Sequence, residues 1–328
     1  AAVVMGIAVM GASFEGGWPA IAGGGPYGYG GILFIAFKMR YSALAPEGAS
    51  SRTICGRAAG AHMETEVRKD SLYAWVLACR PKTLAAALAP VVVGCSLAVW
   101  AGHFRAVPAL LCMLFAVLMQ IASNFINDVC DFEQGNDRDD RLGPRRACAQ
   151  GWISPRRMKT GIVIDLALAL CAGLPLAWYG GWSMVGVALV CLVCAYMYSA
   201  GPYPLAAHGW GDVLVVVFFG LVAVGFTYYV QAGEWSPQAT LAGLAVGVCI
   251  NLLLTINNFR DRDQDRLSGK KTLIARFGAE FGLRYYLAQG GFACAFALCL
   301  MPHGLFWGGL LPLLFLPLHY RVWSMMSS

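Results

Sequence analysis

Apolar runs of about 20 residues recur along this chain, and they decide most of what it can fold into. They lie near residues 84–101, 107–130, 160–178, 182–200, 211–231, 238–258, 283–301 and 304–323. An α-helix rises about 1.5 Å per residue, so each run can cross the roughly 30 Å apolar core of a bilayer. In lipid every backbone N–H and C=O needs a partner within the segment, which a helix supplies. The chain is therefore expected to be all-α, a polytopic transmembrane bundle of about eight spans. Only 13% of its 328 residues are charged, against about 25% in a soluble domain, and a soluble enzyme is excluded.

The few charges are placed. The segment between the second and third runs holds Arg138, Arg141, Arg145, Arg146, Arg156, Arg157 and Lys159. That between the sixth and seventh holds Arg260, Arg262, Arg266, Lys270, Lys271, Arg276 and Arg284. Arg68, Lys69, Arg80 and Lys82 precede or open the first run, whereas the segments after odd-numbered runs carry only Arg105. By the positive-inside rule both basic segments, the approach to the first run and the C-terminus face the cytoplasm. The formal charge of +6 thus follows from topology and suits anionic substrates, and it is poor evidence for nucleic acid.

Two acidic clusters stand at the ends of apolar runs on that same face. One is Asn124-Phe-Ile-Asn127-Asp128-Val-Cys-Asp131, and the other is Asn257-Asn258-Phe-Arg260-Asp261-Arg-Asp263-Gln-Asp265. Both open as Asn-x-x-x-Asp, with Asp128 and Asp261 separated by 133 residues. On a helix Asn124, Asp128 and Asp131 share one face, as do Asn257, Asp261 and Asp265. Carboxylates near a bilayer are costly and point to function. Two such patches facing one cavity suit magnesium, which takes one or two carboxylates together with phosphate oxygens. The neighbouring Arg and Lys would stabilise the charge of a departing diphosphate.

Other features are weaker. The stretch Tyr196 to Asp212 breaks the helix with Gly and Pro on the same side, and its aromatics could line an apolar cavity or shield a cation. Asp165 reads as an interfacial or helix-paired carboxylate. Of the 12 cysteines, Cys191 and Cys194 form a C-x-x-C inside an apolar run, without the ligand set of a zinc site, and read as small buried side chains. Residues 1–62 are rich in glycine and lack a full span. We expect the functional chain to start at or near Met63, giving an atypical extension at 1–62 and a membrane domain at 63–328.

The motifs resemble those of the UbiA superfamily of intramembrane aromatic prenyltransferases, and within it the naphthoate-prenylating branch. The resemblance rests on Arg80-Pro-Lys-Thr83, Asn127-Asp128-x-x-Asp131, Asp140-Arg-Leu-Gly-Pro144-x-Arg146 and Gly151-x-Ile-Ser-Pro155. It rests further on Gly201-Pro-Tyr-Pro-Leu205, His208-Gly-x-Gly-Asp212, Asn257-Asn258-x-Arg260-Asp261-x-x-x-Asp265 and Gly269-Lys270-x-Thr-Leu273, all in family order over residues 71–285. It implies an enzyme of menaquinone biosynthesis in the cell inner membrane, its active site facing the cytoplasm. A polyprenyl diphosphate would bind with magnesium held by Asp128, Asp131, Asp261 and Asp265, and would alkylate 1,4-dihydroxy-2-naphthoate, which then loses carbon dioxide. Asn124, Asn127, Asn257, Asn258 and Arg260 would assist; Lys82, Arg141, Arg146 and Lys270 would contact the diphosphate or the naphthoate carboxylate; Tyr198 and Tyr203 would shelter the allyl cation. Other readings are a UbiA-type enzyme with a hydroxybenzoate or homogentisate acceptor, a membrane transporter, or an inactive scaffold. The family usually has nine membrane helices, so a chain with eight runs is expected to lack the last.

Overall fold

A computed structural model describes residues 67–135 and 145–328. The glycine-rich segment 1–62, its boundary at Met63, and Arg141 lie outside the described residues. Within them the protein is helical and contains no strand.

A short helix α1 (Leu72–Ala78) starts at Ser71, whose Oγ accepts the Ala74 N–H at 3.2 Å. The chain then turns at Arg80, which holds a left-handed φ of 50° immediately before Pro81, the first residue of α2 (Pro81–Trp100). Proline suits that position because its missing N–H would be unpaired there anyway. Next come α3 (Ala106–Glu133), α4 (Pro155–Gly180), α5 (Ser183–Ser199), α6 (Gly211–Ala232) and α7 (Pro237–Leu267). A short α8 (Leu273–Phe277) leads into α9 (Ala279–His303). The eighth apolar run is broken into α10 (Phe306–Leu310), a 3₁₀ segment Leu311–Phe315 and α11 (Leu316–Ser327).

Six of these helices, α2, α3, α4, α6, α7 and α9, are long and apolar enough to cross a membrane, and the protein is a multi-pass membrane protein. The two remaining runs are helical yet imperfect spans. Helix α5 has 17 residues, about 25 Å, which is shorter than a bilayer core. In the last run Pro312 and Pro317 each remove an N–H from the helical ladder, and the chain changes pitch between them. Helices α3 and α7 do the opposite. They continue past their apolar runs, so both acidic clusters lie on regular helix rather than in loops.

The bundle is built on close pairs: α6 against α7, α4 against α3, and α9 against α7. The α6–α7 crossing is made by glycine. A Cβ on Gly220 would stand 2.4 Å from the Gly243 carbonyl oxygen, and one on Gly247 would stand 2.7 Å from that of Val216. Small residues let membrane helices approach to backbone contact. Over the same stretch α6 widens into a π-helix, Val216–Phe226. At the end of the bundle remote from the acidic clusters, the guanidinium of Arg105 donates to the carbonyls of Val230 and Gln231 at 2.8 and 2.6 Å. It thereby caps the last turn of α6, where a cation is favoured. That contact gives the lone basic residue of this end a structural role.

Candidate active site

A cavity of ≈ 370 Å³ runs inside the bundle between α2, α3, α4, α5, α6 and α7, within the usual range for small-molecule sites. Its deep end is apolar: Val91, Cys112, Leu176, Met184, Phe226 and Val230. Its other end carries Arg80, Thr83, Gln120, Ser123, Asn124, Asn127, Tyr198 and Asn257. Along α3 the distance from Asn127 to Cys112 is about 22 Å at 1.5 Å per residue. Cys191 and Cys194 both stand on this wall as free thiols, Cys191 buried.

The acidic clusters begin where the cavity ends. Asp131 is one helical turn beyond Asn127, and Asp261 one turn beyond Asn257, so the carboxylates stand about 6 Å further along the two helices. The clusters meet through Lys270. Its Nζ is 3.4 Å from Asp131 Oδ1 and 3.9 Å from Asp265 Oδ1. The end of α7 puts it there: Gly269, at φ 76°, closes the helix with its N–H on the Arg266 carbonyl, and the Lys270 N–H returns to the Asp265 carbonyl at 2.9 Å. This pairing is a Schellman stop, which wants glycine at the left-handed position. Lys271 in turn donates its N–H to the Ala207 carbonyl at 2.6 Å, tying this corner to the α5–α6 connection.

On the α3 side Arg146 is buried and pairs with Asp131, while its Nη1 donates to the Asn127 carbonyl at 2.7 Å. Asp128 is engaged differently. Its Oδ2 accepts the Ala147 N–H at 2.9 Å and its Oδ1 the Cys148 N–H at 3.0 Å. On α7 both oxygens of Asp261 receive the Arg260 guanidinium, at 2.6 and 2.8 Å. Among the described residues no three carboxylates, imidazoles or thiols converge on one point. Magnesium does not ask for such a cage; it is commonly held by one or two carboxylates, water and substrate phosphate. The hard oxygen donors of Asp131 and Asp265, held together by one ammonium, fit that pattern.

The expected site residues therefore divide. Asn127, Tyr198 and Asn257 line the cavity; Asp131, Asp261, Asp265, Arg146, Arg260 and Lys270 form the charged end. Asn124 lines the cavity too, but its amide donates to the Cys79 carbonyl and to Thr83 Oγ1, both at 3.0 Å, and so ties α3 to the α1–α2 corner. Lys82, in the first turn of α2, is exposed and is not on the cavity wall. Tyr203 is half exposed and stacks on His208 with ring centroids 3.6 Å apart, away from the cavity. Asn258 lies one residue round α7 from the cavity-lining Asn257. Asp165 is buried on α4, where it lines a groove with Trp75 and Phe125 of neighbouring helices. Arg80, Gln120 and Ser123 were not among the expected site residues. Gln120, Ser123, Asn124 and Asn127 repeat at i, i+3, i+4 and i+7, a polar stripe that helical periodicity alone could have exposed.

The chain is 37% identical over 256 residues to a 1,4-dihydroxy-2-naphthoate octaprenyltransferase of Escherichia coli, covering 75% of this chain and 82% of that protein. It is 35% identical over 225 residues to the Haemophilus influenzae protein of the same name, covering 66% and 73%. In fold it is similar to a UbiA homolog from Archaeoglobus fulgidus bound to DMAPP and Mg2+, with a TM-score of 0.55 and 19% identity over 76% of this chain and 86% of the other. The apo UbiA homolog from Aeropyrum pernix gives 0.58 and 18% over 78% and 89%. The model of the UbiA prenyltransferase family matches residues 87–328, and the chain belongs to that family.

Proposed function

We propose that the protein transfers a polyprenyl group from a polyprenyl diphosphate to 1,4-dihydroxy-2-naphthoate, with loss of carbon dioxide, giving demethylmenaquinol for menaquinone biosynthesis. One observation carries the reading. The carboxylates of two helices share Lys270 at the polar end of an apolar cavity, so a charged head and a long hydrocarbon tail have adjoining places. The names of the relatives point to the same donor and acceptor.

Asp131 and Asp265, with Asp261 beside them, would hold magnesium. When bound, that ion neutralises the diphosphate and eases its departure. Lys270 and Arg146 bind the diphosphate oxygens and stabilise the charge that grows as the C–O bond breaks. The polar end of the cavity receives the aromatic acceptor, with the Arg80 guanidinium on its carboxylate, and Tyr198 faces the allyl cation and keeps water from it. The ring carbon that carries the carboxylate then bonds the allyl carbon, and the carboxylate leaves as carbon dioxide, its bonding electron pair restoring the aromatic ring. In this reading the site opens to the cytoplasm at the cell inner membrane.

The test is turnover by purified protein with labelled geranylgeranyl diphosphate, magnesium and a panel of naphthoate, hydroxybenzoate and homogentisate acceptors. Prenylated, decarboxylated naphthoquinol is the expected product. Folded protein that yields no product with the naphthoate would refute the proposal.

A further inference from the structure

The Asn-x-x-x-Asp openings make Asp128 and Asp261 look equivalent, and the geometry separates them. Asp128 is 1% exposed. Each of its oxygens is taken by a backbone N–H, of Ala147 and Cys148, from the connection between α3 and α4. These two N–H groups begin a single tight turn that closes on Gly151, at φ 68°, with the Trp152 N–H on the Ala147 carbonyl at 2.9 Å. The carboxylate thus fastens that turn to α3. The residue just before the fastened pair is Arg146, whose guanidinium reaches the Asn127 carbonyl and Asp131. Asp131, three residues along the same helix, faces cations instead: Arg146 from the turn and Lys270 from the second cluster.

We infer that Asp128 is a positioning residue: it sets the turn that places Arg146 at the diphosphate end of the cavity, and it holds no metal. Asp128 has a buried backbone N–H on each oxygen and is 1% exposed, so it offers no open side to an ion, whereas Asp131 and Asp265 face the cations of the charged end. Arg146 has the complementary problem. A long side chain at the end of a connecting segment adopts many rotamers unless its backbone is fixed, and a bidentate contact on phosphate needs it fixed. What Arg146 binds rests on the prenyl-diphosphate reading, whereas the absence of metal at Asp128 does not depend on it.

The experiment uses the full chain in detergent micelles, four single variants (Asp128→Asn, Ala147→Pro, Arg146→Ala and Asp131→Asn) and the double variant Asp128→Asn/Arg146→Ala. Three quantities are read: KM for geranylgeranyl diphosphate, the magnesium concentration for half-maximal rate, and Mn2+ affinity by electron paramagnetic resonance. Asp128→Asn turns an N–H donor toward the N–H groups it must accept, and Ala147→Pro deletes one of those groups while keeping the carboxylate. Both are expected to raise KM at least tenfold and to leave the magnesium requirement and Mn2+ affinity within about twofold of the parent. Asp131→Asn should raise the magnesium requirement tenfold or more. The pair Asp128→Asn with Arg146→Ala should be no worse in KM than Arg146→Ala alone, since both act through one guanidinium.

A rise in the magnesium requirement for Asp128→Asn matching that of Asp131→Asn would overturn the inference. So would an Ala147→Pro protein with the KM of the parent. If Asp128→Asn does not fold, Ala147→Pro decides the matter, because a metal ligand at position 128 would be untouched by it. If the parent protein turns over none of the acceptors, the functional reading falls, and the Mn2+ titrations still decide whether Asp128 binds metal.

Discussion

Lys270 is the residue on which both clusters depend, and its position follows from one glycine. Removing the ammonium by Lys270→Ala leaves Asp131 and Asp265 facing each other across the site and strips the diphosphate of a cation. The expected outcome is a loss of at least tenfold in kcat/KM, measured with saturating magnesium, with Lys270→Arg recovering part of it. Gly269→Ala acts on the same residue through the backbone. Nothing stands within 4 Å of a Cβ there, so the cost is that of a left-handed alanine, about 1–2 kcal/mol. A lower melting temperature by a few degrees and a raised KM for the diphosphate are the checks. Helix-face spacing alone made Asp131, Asp261 and Asp265 legible in the sequence. It could not divide Asp128 from Asp131. The groups that divide them, the N–H of Ala147 and the Nζ of Lys270, are 19 and 139 residues away, and a helical period carries no information about such partners. Tyr203 and Lys82 stand off the cavity wall for a related reason, since chemical type was readable but the direction of a turn was not.

At the scale of elements, hydropathy located all eight runs because lipid allows so few backbone solutions. It was less informative where proline or pitch intervened, as in the last run, and it could not see that two spans touch through glycine. The α6–α7 contact makes a specific demand. Gly220→Leu has to drive the helices apart or distort the π-helical stretch, and overpacking of this kind costs about 1–3 kcal/mol or more. Thermal unfolding in detergent should register it clearly, while Gly186→Ala, inside helix α5 where a Cβ meets nothing within 4 Å, should keep or slightly raise the melting temperature. Because the π-helical stretch contributes Phe218, Phe219 and Phe226 to the cavity, Gly220→Leu should also slow turnover more than its effect on stability would.

For the whole molecule, the cavity is a depth gauge. Its far end is lined by Val230, Leu176 and Met184, about 22 Å from Asn127 at the polar end measured along α3, with the carboxylates about 6 Å beyond. Val230→Trp shortens it. With geranyl diphosphate the variant should keep kcat/KM within about threefold of the parent, and with geranylgeranyl diphosphate it should lose tenfold or more. An equal loss on both donors would mean that the tail does not reach this floor. No single motif announces the cavity, because its wall is assembled from six helices spread along the sequence.

The backbone bond from Lys271 to Ala207 joins the segment that carries the shared lysine to the connection that carries Tyr203 and His208. The two stretches are therefore one mechanical part. A substrate that drew Lys270 off its carboxylates would therefore load this hydrogen bond as well, and with it the connection that carries Tyr203.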